Sequence, residues 1–90
     1  MVPRWRAHPE VAWVEGPGRV ALVDLRDPVT AVPQLCPEPA AALWRAVADG
    51  PKGEAELVSI AAGEVGGQAE GLVASFLDGF IAAGLVVEAP

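Results

Sequence analysis

Ninety residues, of which 52% are hydrophobic, suffice for one modest core and not for two. A single domain over residues 1–90 is therefore expected, and its formal charge of −6 argues against phosphate backbones and anionic lipid surfaces, both of which draw Lys and Arg into contact. The lone Cys36 forbids an internal disulfide, no Cys/His group has zinc spacing, and no apolar run reaches the roughly 18 residues of a membrane span, so a reducing cytoplasm is the expected compartment.

In chain order, residues 1–9, with Pro3 and Pro9, predict an extended lead-in. The runs at 11–15 (VAWVE) and 19–25 (RVALVDL) are rich in β-formers and separated by Gly16-Pro17-Gly18, which predicts an antiparallel hairpin. The second run is apolar on both of its faces, as expected for the middle strand of a sheet. Arg26-Asp27-Pro28 predicts a turn, and Val29, Thr30, Ala31 and Val32 predict a third strand that Pro33 ends by withholding an N–H. That strand would lie at an edge, with a row of unpaired backbone groups.

Prolines 37 and 39 are tolerated in a first helical turn, so a helix is predicted over 37–48, with Cys36 at its start, Leu43, Trp44 and Val47 inward and Asp49-Gly50-Pro51 as its stop. A shorter helix is predicted over 54–62, with Leu57, Ile60 and Ala61 inward, broken by the glycines of 63–67. From 68 to 83, Leu72, Val73, Phe76, Leu77, Phe80 and Ile81 recur at helical spacing in a stripe wider than one face requires, which implies a core contact and a second one. Gly84 ends this helix, and 85–87 form an extended tail able to return to the sheet. The order of elements predicts the α+β class and a winged helix-turn-helix: an N-terminal three-stranded antiparallel sheet followed by three helices.

Catalytic chemistry finds little support. His8, the only histidine, has no base, ligand or orienting partner near it in sequence, and Cys36 has no histidine to activate it. The acids are scattered, and neither a G-x-G-x-x-G nor a G-x-x-x-x-G-K-[ST] pattern occurs. The expectation is a protein that is not an enzyme and holds no cofactor or metal. All six Lys and Arg lie in the first 52 residues, whereas 53–90 carries six acids and no base, so the last helix is not built for a DNA groove. Among the tryptophans, Trp44 reads as core, and Trp5, in the basic lead-in, as the one available to a partner.

The series H-P-x-V at 8–11, V-A-L-V-D-L at 20–25, Leu35 ahead of a helix, A-x-x-L-W at 40–44, Asp49-Gly50, Phe76-Leu77 and G-L-V at 84–86 resembles the PqqD-like family, the precursor-peptide recognition elements of ribosomally made, modified peptides. The likeness runs from about His8 to Val86 and rests on order and spacing, each motif being short. It implies a small, non-catalytic winged helix. In the family, the leader of a precursor peptide adds as a strand to the edge of the third strand, rests against the third helix, and is presented to a maturation enzyme. The V-A-L-V-D-L run, the L-W pair and the Gly84-Leu85 ending look most like the free-standing leader-binding proteins of lasso-peptide clusters, which implies a leader protease as partner. The sequence departs from the usual pattern at Pro28, at 29–32, where relatives carry aromatics, and at Cys36, and the segment from Asp24 to Leu35 is about two residues longer.

At about 100° per residue, Val73, Leu77 and Phe80 centre on the core face of the last helix, and Leu72, Phe76, Gly79 and Ala83 on a neighbouring face. Those four predict a shallow apolar slot beside Val29, Thr30, Ala31 and Val32, the eight together forming the expected leader-binding site, with Arg19 and Arg26 placed to meet an acidic leader side chain. Strand addition of this kind takes affinity from the backbone and selectivity from side-chain pockets. An open edge also permits self-pairing, so an edge-strand homodimer is a further expectation. The alternative from another class is a winged-helix transcription regulator or its effector-binding fragment.

Overall fold

The computed structural model describes residues 2–26, 29 and 31–90, and shows a mixed α+β fold with two three-stranded antiparallel sheets. The first sheet is built on the hairpin. β2 (Val11–Gly16) and β3 (Arg19–Asp24) pair from Val11↔Asp24 to Gly16↔Arg19, leaving Pro17-Gly18 as a two-residue turn. Gly18 has φ 68°, which a side-chain-bearing residue adopts only at a cost, and proline followed by such a glycine is the type II pattern. β3 is the central strand, and β4 (Gln34–Pro37) lies on its other side in the register Leu22↔Gln34, Val20↔Cys36.

β4 corrects the predicted third strand. Val29 lies in a turn and is 92% exposed, Val32 is 71% exposed, Ala31 is half-buried outside any strand, and Thr30 lies outside the described residues. The β-branched residues at 29–32 raise intrinsic strand propensity, but burial decides the pairing: the 34–37 register carries Cys36 into the core beside Val20, and Pro33 precedes the strand instead of ending it. The helix expected from residue 37 accordingly starts later, as α1 (Ala40–Asp49). Glu38 assists that start, its Oε1 accepting the Ala42 N–H at 3.0 Å beside the positive end of the helix.

The lead-in is also corrected. Arg4–Ala7 forms β1, the middle strand of the second sheet, between β5 (Lys52–Gly53) and β6 (Val86–Glu88). Its period-two pattern directs Trp5 and Ala7 toward the core, so Trp5 is a half-buried packing residue. The tail at 85–87 does return to a sheet, though to this one, pairing Ala7↔Val86 and Trp5↔Glu88.

α2 (Glu54–Val65) runs past the predicted break at Gly63, with Leu57 and Ala61 buried, and a single 3-10 turn (Gly66–Gln68) joins it to α3 (Ala69–Ala82). Glu56 holds the start of α2: its Oε1 accepts the Gly53 N–H at 3.0 Å and an Arg4 guanidinium N–H at 3.2 Å. One core joins the layers, with Val20, Leu22 and Cys36 from the first sheet, Leu43, Trp44 and Val47 from α1, Leu57 from α2, Val73 and Phe76 from α3, and Val86 from the second sheet. No described helix is long and apolar enough to cross a membrane.

Candidate functional site

Among the described residues β4 pairs only with β3, so its outer edge carries no strand. The course of α3 relative to that sheet follows from its two ends. Near its start, Gly71, Leu72 and Ser75 form one wall of an open hollow of about 550 Å³, with Val65 and Gln68, and Pro39 stands on the opposite wall, two residues beyond β4. Past its other end, Gly84 lies under the guanidinium of Arg26, two residues beyond β3; a Cβ placed on Gly84 would stand 3.0 Å from Arg26 Nη1. Gln34, where β4 begins, pairs with Leu22 near the end of β3. α3 therefore runs back past the sheet in the direction opposite to β4, and the hollow opens where β4 gives way to α1.

An aromatic run anchors α3 beneath the sheet. Trp44, fully buried, meets Trp13 of β2 edge-on at 6.5 Å and Phe80 at 6.1 Å, and Phe80 stacks on Phe76 at 4.3 Å. The Trp44 indole N–H is buried and meets no protein acceptor among the described residues, so packing alone fixes the ring.

The predicted slot separates into different environments. Phe76 is only 4% exposed and belongs to the core, which corrects its assignment to a ligand-facing surface. The projection centred the core on Val73, Leu77 and Phe80, and the first two are buried while Phe80 is half-buried; α3 packs against both other helices and β6, so its buried sector spreads across the face given to Phe76. Leu72 is half-buried and lines the hollow. Gly79 and Ala83 are exposed and lie off the hollow, and a Cβ on Gly79 would meet nothing within 4 Å. The residues missed in the sequence are Leu35, 65% exposed on β4, and Pro39, Gly71 and Ser75 around Leu72. Ser75 stands three positions from Leu72, a helical neighbour the spacing could have supplied. Pro39 is placed by tertiary folding alone.

The charges near the sheet are mostly paired. Arg45 on α1 bridges Glu15 of β2 at 2.7 Å and Glu38 at 2.6 Å, tying helix, hairpin and the end of β4 together. Arg26 binds Asp24 through its side chain, at 2.9 and 2.6 Å, and through its backbone N–H; these bonds hold the Asp24 carboxyl at about 2. Arg26 thus already has a carboxylate, whereas exposed Arg19 has no ion-pair partner among the described residues. Burial, with the nearby Glu38 carboxylate second, pushes the Cys36 thiol up. His8 Nδ1 accepts the Glu10 N–H at 3.0 Å, a turn-forming contact between β1 and β2. Among the described residues no three His, Cys, Asp or Glu side chains gather as a metal site.

No protein family, curated protein or solved structure matches the chain.

Proposed function

We propose that this chain is a non-catalytic peptide-recognition domain of the PqqD-like, winged-helix kind, which captures the leader of a ribosomal precursor peptide and presents it to a maturation enzyme, a leader protease of a lasso-peptide pathway. The observation that carries the reading is the open edge of β4 together with the hollow lined by Leu72, whose wall includes Pro39, two residues past the end of that strand. Strand addition needs a line of unpaired backbone groups for affinity and a recess for a side chain, and this chain has both, the recess beginning two residues past β4. The binding strand is β4, Gln34–Pro37, in place of 29–32. The acidic, base-free second half of the chain supports this reading over a DNA-binding one.

The test is fluorescence polarisation with a labelled synthetic leader from a precursor peptide encoded beside this gene. Saturable binding is expected, weakened about tenfold or more by Leu72→Asp. Phe76→Asp is unsuitable, because it would place a charge in the core. Absence of saturable binding, or unchanged affinity in Leu72→Asp with native circular dichroism, refutes the assignment.

A further inference from the structure

The hydrogen-bonding sense of the open edge can be read from one bond. The Glu38 N–H donates to Gly18 O at 3.1 Å, in register with the β3–β4 ladder. Residues of an antiparallel pair alternate between those that exchange bonds with the neighbour and those whose groups point away. Counting back from Glu38, Cys36 and Gln34 bond inward to β3, so the backbone groups of positions 33, 35 and 37 point outward. Two of the three are prolines, which have no N–H. The edge therefore offers three acceptors and a single donor, Leu35 N–H.

We infer that Pro33 and Pro37 make this edge selective: it fits an extended peptide that supplies N–H groups at three alternating positions, and it rejects a second copy of itself. The inference rests on the proposed peptide-binding function for its occupant. An added antiparallel strand without proline at those positions makes four bonds, one to each carbonyl and one from Leu35 N–H. Two copies paired about a two-fold axis at Leu35 would set Pro33 against Pro37 and form only two, and registers shifted to either proline do no better. Proline on an exposed edge is a known guard against edge-to-edge association. Here the guard removes donors and keeps every acceptor, so a foreign strand still finds a partner for its own N–H groups.

Sedimentation equilibrium tests the guard. The wild-type chain is expected to be monomeric. The double variant Pro33→Ala/Pro37→Ala, with native circular dichroism, is expected to self-associate at least about tenfold more tightly, and adding Leu35→Pro, which removes two of the six bonds this variant can form about the same axis, should weaken that self-association without returning it to the wild-type level. A double variant that folds and remains as monomeric as wild type overturns the inference, as does a wild-type dimer that Leu35→Pro dissolves. Selection of short random peptides on the wild-type protein provides a second readout that requires no variant. Enriched sequences should exclude proline at three alternating positions, and proline as frequent there as elsewhere refutes the pattern. An empty selection overturns the peptide occupant and the proposed function with it, whereas an unchanged double variant overturns the guard alone.

Discussion

Asp24 and Arg26 form a contact whose worth depends on pH. The Arg26 side chain, and then its backbone N–H, hold the Asp24 carboxyl at about 2 against an ordinary 3.8, so the folded state favours the carboxylate. The stabilisation is present above the unfolded value and is lost as pH falls from about 4 toward 2. Asp24→Asn should therefore lower the urea midpoint at neutral pH and converge with wild type near pH 2, as a series of urea titrations at decreasing pH will show. Cys36 shifts in the opposite sense: its buried thiol stays protonated, so maleimide should label it slowly in buffer and rapidly in urea. Trp44 bears the largest packing load. Trp44→Ala should cost about 3–5 kcal/mol in chemical denaturation, and Trp44→Phe less, since the indole N–H forgoes no protein hydrogen bond. The sequence identified Trp44 as core because its neighbours Leu43 and Val47 mark the same helical face. It misplaced Phe76 because a helical projection ranks directions around one axis without saying how many neighbours surround it.

At the level of elements, the hairpin was legible because all its information is local: two β-rich runs and a Pro-Gly corner. β1 was hidden for the converse reason. Its partners are Lys52 and Glu88, far along the chain, and a four-residue strand with two arginines and a preceding proline has no signal of its own. β4 was displaced by the competition between propensity at 29–32 and burial at Cys36. The end of α3 shows how a local rule acquires a tertiary role. Gly84 was read as a helix stop, and its φ of 73° agrees, but the missing side chain also leaves room for the Arg26 guanidinium. Gly84→Ala should accordingly cost about 1–2 kcal/mol for the backbone conformation alone, with a further loss from displacing Arg26. Thermal unfolding of Gly84→Ala, measured once in the wild-type background and once in the Arg26→Ala background, separates the two contributions, the clash disappearing where Arg26 is absent.

For the molecule as a whole, the uneven distribution of charge was fully visible in the sequence, and the fold uses many of its cations internally: Arg4 on Glu56, Arg26 on Asp24, and Arg45 on Glu15 and Glu38. Little positive charge remains for a polyanion. Duplex DNA should show no retardation in a gel mobility assay even at low ionic strength, where counterion release is most favourable; a salt-sensitive shift would restore the transcription-regulator reading.

The second sheet has a topological consequence. Because β1 pairs with β6, with Ala89 N–H donating to Arg4 O at 2.7 Å and Val2 and Pro90 lining one shared recess, residues 2 and 90 meet at one corner. Stitching them into a closed ring through a short glycine-serine bridge would reduce the freedom of the denatured chain while leaving folded contacts untouched, so circularisation should raise the melting temperature.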